Sequence, residues 1–155
     1  MRKWLSTFLA ALSIVATPAV DAEEIPSPEP MSSDQFAPGQ VWRYNTRSGE
    51  EASRVIIGRI EKSPKIGTIV HVKLTGLRIK NPDAPGGLSL VMTHAPISES
   101  ALSASVTELT KEVSDLDGFS EGYNTWLSSF RVGDAGVFTI PLSQVTEVME
   151  QTLNQ

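Results

Sequence analysis

The stretch Ile66–Thr75, with the sequence IGTIVHVKLT, decides the fold class because its apolar side chains alternate. Successive side chains of a β-strand point to opposite faces of a sheet, so a period of two indicates a strand. One face carries Val70, Val72 and Leu74, and the other carries Ile69, His71, Lys73 and Thr75. We therefore predict a long β-strand at this position.

The residues before this strand also have a β pattern. Val41–Thr46 (VWRYNT) and Arg54–Glu61 (RVIIGRIE) are rich in aromatic and β-branched residues and are separated by turn residues. Gly58 interrupts the second of these strands, which predicts a bulge or a close contact there. The segment 81–87 (NPDAPGG) predicts a loop, and Leu88–Thr93 predicts one more strand.

After Pro96 the period changes from two to 3.6, which is typical of amphipathic helices. Three helices are predicted, and the first has Ser98 as its N-cap. Their apolar stripes are Leu102, Val106, Leu109 and Val113; then Tyr123, Trp126, Leu127 and Phe130; then Leu142, Val145, Met149 and Leu153. The second helix is expected from about Ser120 to Arg131 with Gly133 ending it, and the third begins at Pro141. A brief strand is expected at Gly136–Ile140.

This order of elements predicts an α+β fold. The expected architecture is an antiparallel sheet of about four to six strands in the N-terminal half, covered on one face by two or three C-terminal helices. Residues 39–155 form the single domain, which is within the usual size range of one hydrophobic core.

The residues before the domain predict export. Arg2 and Lys3 precede the 13-residue apolar stretch Trp4–Ala16, which is too short to span a membrane and fits a signal peptide. Residues 1–22 are therefore predicted to be a signal peptide cleaved after Ala22, with cleavage after Ala19 or an uncleaved anchor as alternatives. Residues 23–38 are interpreted as an acidic, Pro-rich, flexible linker. The mature chain is expected to be soluble and periplasmic, or secreted.

The composition excludes several chemistries. The chain of 155 residues has no Cys, so disulfides, thiolate metal sites and a Cys nucleophile are excluded. A sequence pI of about 5.0 argues against a nucleic-acid partner. The glycine-rich loop at 85–87 lacks the spacing of a phosphate-binding motif, and no cofactor is predicted.

Charge is unevenly distributed along the chain. Residues 41–80 carry nine Lys/Arg and three Asp/Glu, whereas residues 81–155 carry two Lys/Arg and ten Asp/Glu. The simpler interpretation is that the two halves attract each other. The functional interpretation is a surface for an anion or an acidic partner, and its predicted residues are Trp42, Arg43, Arg47, Arg54 and Arg59. Trp and Arg are the side chains that most often anchor interfaces.

The two histidines, His71 and His94, are the titratable candidates. Strand alternation places His71 beside Lys73, on what we predict to be a solvated polar face. His94 is expected at a strand end. Neither has a second histidine at metal-binding spacing, so no metal site is predicted, and with no nucleophile motif present no catalytic residue is assigned.

Two segments carry a resemblance to other proteins. The segment 38–51, with PGQVWRYNTR followed by GEE, and the segment 78–82 (RIKNP) resemble a group of small exported bacterial proteins of unassigned activity. The resemblance spans most of the mature chain and implies a self-contained periplasmic domain. It supplies no catalytic residues.

The leading hypothesis from the sequence is a non-enzymatic, exported binding or inhibitor module, for which an immunity-like protein is one concrete version. Its partner would be an envelope or secreted protein. The alternatives are a small periplasmic hydrolase that uses His94 with a nearby Ser or Glu, and a carrier with an apolar pocket between sheet and helices.

Overall fold

The structure is a computed structural model that describes residues 23–155. The predicted signal peptide, residues 1–22, lies outside the described residues. The strands are β1 (Glu29–Pro30), β2 (Val41–Tyr44), β3 (Arg54–Ser63), β4 (Gly67–Thr75), β5 (Ile79–Lys80), β6 (Leu88–Ser89), β7 (Met92–Ser98) and β8 (Val106–Leu109). The α-helices are α1 (Glu99–Ser105), α2 (Phe119–Arg131) and α3 (Leu142–Leu153). A 3₁₀ turn covers Pro85–Gly87.

The long hairpin of β3 and β4 forms the centre of a six-stranded antiparallel sheet, ordered β7-β4-β3-β2-β8. The free side of β3 is shared by two strands, with β2 paired near its start and β1 near its end. Strands β5 and β6 form a separate two-stranded ribbon. The α+β prediction is therefore confirmed, with the sheet in the N-terminal half and the α2 and α3 helices after it.

The helices cover both faces of the sheet, so the expectation of one covered face is wrong. Val70, Val72 and Leu74 face the main core together with residues of α1 and α3, such as Leu102 and Val145. The opposite face of β4 packs under α2, whose aromatic residues form a second apolar cluster. This second face was predicted to be polar because His71 and Lys73 lie on it. His71 is instead buried under α2, and Lys73 is buried with its ammonium donating to the Asp117 carbonyl just before this helix.

A bulge in β3 aligns the residues on that second face, as Gly58 indicated. The register with β4 shifts between Ile57 and Arg59, so Gly58 is the extra residue. Gly58 also lies against the Phe119 ring, where any Cβ would clash. The bulge places Arg59 and Glu61 on the α2 side while Ile57 and Ile60 stay in the main core.

The first predicted helix is shorter than expected. Ser98 caps it by accepting a hydrogen bond from the Ala101 amide, as predicted, but the helix ends at Ser105. Residues Val106–Leu109 leave the helix and pair with β2 as the edge strand β8. Backbone pairing with a sheet edge has outweighed the helical period of Val106 and Leu109, and β-branched residues at 106 and 107 favour that outcome.

Residues 23–38 are packed on the domain rather than forming a free linker. The Met31 amide donates to the Ile60 carbonyl, and the Ile25 amide donates to the Arg131 carbonyl. Phe36 is only 2% exposed and packs edge-on against Trp42. Within this segment Glu29 and Pro30 form β1, which pairs with β3 at the edge of the sheet, where proline is tolerated.

The C-terminal half follows the predicted helices closely. Helix α2 ends before Gly133, which has a φ of 81° that favours glycine, and α3 follows Pro141. Tyr123 and Trp126 are buried, as their spacing indicated. The strand expected at 136–140 is reduced to one bridge between Phe138 and Ile97. Among the described residues, no helix has the length and apolar character needed to cross a membrane.

Candidate functional site

The two histidines predicted as titratable candidates meet under α2. His71 is on β4 and His94 is on β7, and their rings stack with centroids 5.2 Å apart. The prediction that His71 is solvated is wrong, because its side chain has no exposed surface. His94 lies within β7 rather than at a strand end, and it is partly buried. Sequence alternation found the correct face of β4, but it did not show that a helix covers this face.

Both histidines belong to a hydrogen-bonded cluster, which we call the α2 network: Arg59, Glu61, His71, His94 and Tyr123. His71 Nδ1 lies 2.9 Å from His94 Nε2, and His71 Nε2 lies 3.1 Å from Glu61 Oε2. The Tyr123 hydroxyl donates to Glu61 Oε1 at 2.6 Å, and Arg59 Nε donates to the same oxygen. Glu61 is completely buried, so these donors replace the water it has lost.

The network assigns the ring protons. The Glu61 carboxylate accepts from Arg59 and Tyr123, so its second oxygen is matched by an N–H at His71 Nε2. Neutral His71 then has a lone pair at Nδ1, which accepts a hydrogen bond from His94 Nε2. This leaves the His94 Nδ1 lone pair as the basic end of a chain that begins at Glu61.

Burial keeps both rings neutral. It lowers the pKa of His71 to about 3, with the nearby Arg59 charge lowering it further. Burial also lowers the pKa of His94 to about 4, although Glu61 acts in the opposite direction. Burial and the hydrogen bond to Glu61 raise the pKa of the Tyr123 hydroxyl to about 12. Both histidine rings and the Tyr123 hydroxyl are therefore uncharged around neutral pH.

Helix α2 lies unusually close to the sheet above this network. A Cβ added at Gly122 would be 2.6 Å from the Cβ of His94, so only glycine allows this approach. The Trp126 ring contacts His71 with centroids 4.7 Å apart, and its indole N–H donates to the Gly136 carbonyl. The aromatic cover and the close helix leave Glu61 and His71 without access to solvent.

The α2 network is not arranged as a metal centre. His71 Nδ1 and His94 Nε2 lie 2.9 Å apart and are joined by a hydrogen bond, so the lone pair of His71 Nδ1 is used by that bond instead of facing a metal position. Within residues 23–155, no three His, Asp or Glu side chains are placed to hold an ion.

The arginines predicted to bind a partner do not form one patch. Arg54 Nε pairs with Glu112 at 2.8 Å, and Arg43 lies 3.8 Å from Glu108. Arg59 belongs to the α2 network. Most of these charges are therefore used within the molecule, between the basic sheet half and the acidic second half.

Arg47 lies apart from the other three arginines. Its Nε donates to Glu50 Oε1 at 2.5 Å, and its Nη1 is 3.4 Å from Glu150 Oε1. Trp42 is partly buried and donates its indole N–H to Gln40 at 3.0 Å. Arg47 adjoins a cleft that also contains two cations without an ion pair among the described residues, Arg78 and Lys80, whereas the groove beside Arg43 contains one, Lys111.

Four other cations of the basic half have no acidic partner within 4 Å among the described residues: Lys62, Lys65, Arg78 and Lys80. Lys62 lies directly across the sheet from Glu29, and Lys65 lines a small groove with Glu23 and Glu24. The acidic N-terminal segment thus compensates two of the four. Arg78 and Lys80, both exposed, are the remaining pair.

Arg78 and Lys80 border a groove of about 400 Å³, which we call the β5 cleft: Arg47, Ser48, Gly49, Glu50, Arg78, Lys80 and Glu150. Glu50 is 3% exposed and accepts hydrogen bonds from Arg47 Nε and from the Arg78 amide. Although burial alone would raise the pKa of Glu50, these two donors outweigh it, and the pKa lies below its usual range. Glu50 therefore connects the side of the cleft that carries Arg47 to the side that carries Arg78.

Sequence reasoning assigned no site role to Arg78, Lys80, Glu50 or Glu150. A signal was available for the first two, because Leu77 and Ile79 are apolar while Arg78 and Lys80 alternate with them on the opposite face. The segments 38–51 and 78–82 meet at this cleft. The contribution of Glu150 from α3 had no local signal, since 70 residues separate it from Lys80.

No protein-family model, curated protein or solved structure matches this chain. The assignment of a function therefore depends on the geometry of the two clusters described above.

Proposed function

We propose that this chain is an exported, non-enzymatic binding module that takes an acidic partner at the β5 cleft. The observation that carries the proposal is the pair Arg78 and Lys80 beside Arg47. Both are exposed and neither forms an ion pair within 4 Å among the described residues, although Glu50 and Glu150 line the same cleft. An inhibitor of an envelope or secreted protein, such as an immunity-like protein, is the concrete version of this role.

The supporting argument starts from charge. The chain has a formal net charge of −5, and removal of residues 1–22 would make it −6, because Arg2, Lys3 and Asp21 are lost. A strongly acidic partner is repelled by most of such a surface and attracted at Arg78 and Lys80. The local field would therefore orient the partner and speed the encounter.

Charge alone gives weak affinity. An exposed ion pair contributes about 0.2–1 kcal/mol, so two pairs with Arg78 and Lys80 contribute on the order of 1 kcal/mol. A functional complex at the β5 cleft must gain further contacts from the walls that Glu50 and Glu150 hold in place. This requirement favours a macromolecular partner over a free small anion.

A capture experiment with matched variants tests the proposal. Because the chain has no Cys, a Ser120→Cys substitution on the exposed start of α2 allows immobilisation through one thiol, away from the β5 cleft. Envelope extract is then passed over three forms: the parent, Arg78→Ala/Lys80→Ala, and the control Lys62→Ala/Lys65→Ala.

We expect an acidic protein to be retained by the parent and by the Lys62→Ala/Lys65→Ala control. Its retention on Arg78→Ala/Lys80→Ala should fall about fivefold, because about 1 kcal/mol of ion pairing is lost. Both double variants remove two charges, so general electrostatic attraction changes equally. Equal retention on all three surfaces, or equal loss in both variants, would contradict a specific role for the β5 cleft.

A small hydrolase is the second candidate, and the chain from Glu61 through His71 to His94 Nδ1 is the observation that favours it. A carboxylate that orients a histidine is a common element of acid–base catalysis. The low pKa of His94 makes its ring a weak base. Hydrolysis of an ester or amide by the purified protein, abolished in His94→Ala and retained in Arg78→Ala/Lys80→Ala, would establish this alternative in place of the binding module.

A further inference from the structure

The outer edge of β5 has the backbone pattern of a strand that lacks its neighbour. On the inner side, the Leu77 amide donates to the Leu90 carbonyl and the Asn81 amide donates to the Gly87 carbonyl. Backbone groups alternate in direction along a strand, so the amides of Arg78 and Lys80 point to the opposite edge. That edge faces the β5 cleft.

Side chains occupy the places where a neighbouring strand would bind. Glu50 Oε2 accepts from the Arg78 amide at 2.7 Å, and Glu150 Oε2 accepts from the Lys80 amide at 2.8 Å. Asn154 Nδ2 donates to the Lys80 carbonyl at 2.7 Å. The Lys80 backbone is thus bound by one acceptor and one donor. In an antiparallel sheet, the opposite residue of a hydrogen-bonded pair supplies the same two groups, its C=O and its N–H.

The two groups on Lys80 come from the most exposed part of α3. The buried residues of this helix, Leu142, Val145 and Thr146, all lie in its first half. Glu150 is partly buried, and residues 151–155 are exposed. Their hydrogen bonds to Lys80 can therefore be exchanged without disturbing the main core, whereas Glu50 is buried and stays in place.

We propose that an extended acidic peptide segment of the partner adds to the outer edge of β5 and replaces Glu150 and Asn154 at the Lys80 backbone. This inference rests on the proposed function and specifies how the partner is held. Strand addition supplies affinity through main-chain hydrogen bonds, and side chains supply specificity.

Charge complementarity identifies the occupant. Arg78 and Lys80 are two residues apart and lie on the same exposed face of β5. Side chains of an added strand at positions i and i+2 would lie across from them, so Asp or Glu at both positions forms two cross-strand pairs. Arg47, now shared between Glu50 and Glu150, becomes available to the peptide when Glu150 leaves.

The test uses a synthetic nine-residue peptide of alternating Glu and Thr, titrated into the protein at low ionic strength and followed by amide NMR. The control peptide has the same sequence with N-methyl groups on alternate backbone nitrogens, so that it retains every charge and loses the strand donors. Inorganic phosphate serves as the free-anion probe. We expect the Lys80 amide and the Asn154 side-chain amide to shift on binding, and the N-methylated peptide to bind at least tenfold more weakly.

Variants distinguish two contributions to peptide binding: competition with Asn154 for the Lys80 backbone, and charge attraction by Arg78 and Lys80. Asn154→Ala removes one competing hydrogen bond and should strengthen peptide binding about fivefold, equivalent to about 1 kcal/mol. Asn124→Ala, at an exposed position of α2, is the matched control and should leave the affinity unchanged. Arg78→Ala/Lys80→Ala should weaken binding about fivefold, which corresponds to about 1 kcal/mol for the two exposed ion pairs.

The outcomes distinguish the two levels of the proposal. Equal binding of both peptides with an unchanged affinity in Asn154→Ala would overturn strand addition while supporting the proposed acidic partner. Binding of phosphate with no binding of either peptide would also overturn it, in favour of a free anion. If no probe perturbs Arg78 or Lys80, the proposed function itself fails.

Discussion

Acidification from pH 7 to pH 5 should destabilise this protein through His71 and His94. Both rings have an unperturbed pKa of about 6.5, and in the native state burial lowers the pKa to about 3 for His71 and about 4 for His94. The unfolded chain therefore binds two protons over this range while the native protein stays neutral at both rings. Stability is complete above about pH 6.5 and falls as the pH is lowered.

The magnitude follows from linkage. At pH 5 each histidine of the unfolded chain is almost fully protonated, which favours unfolding by about 2 kcal/mol per ring, or about 4 kcal/mol for the pair. This is a large part of the 5–15 kcal/mol typical of a domain. The result at pH 5 requires only that both native pKa values remain well below 5.

Three carboxyls with lowered pKa values contribute little between pH 7 and pH 5. The carboxyls with resolved shifts, Glu50, Glu51 and Glu112, have native pKa values below 4.5, so they stay ionised in the native state. Their stabilising effect is lost at lower pH. Around the histidines, Arg59 and Tyr123 keep their charge states because the pKa of each is raised.

Urea unfolding followed by tryptophan fluorescence at pH 7, 6 and 5 measures the effect. His94→Gln removes one titrating ring, so its loss of unfolding free energy between pH 7 and 5 should be about 2 kcal/mol instead of about 4 kcal/mol. A flat stability profile in the parent, or the full loss in His94→Gln, would refute the reasoning. Histidine ring NMR provides an independent check, since neither native ring should protonate above pH 5.

Two further predictions concern the contact between α2 and the sheet. Gly122→Ala should destabilise the protein by about 1–3 kcal/mol, because the new Cβ overlaps the histidine beneath it and this cost exceeds the roughly 1 kcal/mol that alanine gains in a helix. Gly136→Ala, with no atom within 4 Å of the new Cβ, should change stability by less than about 0.5 kcal/mol, and equal effects would contradict the close approach. Tyr123→Phe should cost about 1–3 kcal/mol by removing a donor from buried Glu61; a neutral effect in thermal unfolding would show that Glu61 does not depend on that hydroxyl.

The elements that the sequence predicted well are those in which the spacing of apolar residues coincides with the residues that are buried in the structure. The alternation of Ile66–Thr75 identified a strand of the central hairpin, and the stripe of α2 identified its buried face. Gly58 was readable as a bulge because an isolated glycine in a strand has few other roles. In each case the local pattern and the tertiary contacts favour the same structure.

The errors occurred where a distant segment decided the outcome. Val106–Leu109 has a helical stripe, but an unpaired side of β2 offers hydrogen bonds that a helix would not give. His71 was assigned to solvent because polar alternation cannot show that α2 packs above it. The β5 cleft needs Glu150 from α3, and no spacing in the sequence connects that residue to Lys80.

The two clusters lie on different sides of the molecule, and this separation gives a final prediction. The α2 network is under α2 on one face of the main sheet, whereas the β5 cleft is bordered by α3, which packs on the other face. Sites without shared partners perturb stability and binding nearly additively. His94→Gln should therefore halve the pH dependence and leave the affinity for the acidic peptide unchanged.

Arg78→Ala/Lys80→Ala should do the opposite, because it removes the cations that the partner contacts and leaves both buried rings untouched. Peptide titrations and urea unfolding on the same two variants measure both properties. If His94→Gln weakened peptide binding as strongly as the double variant, the function would depend on the buried chain from Glu61 to His94, and the division between a structural network and a binding surface would be wrong.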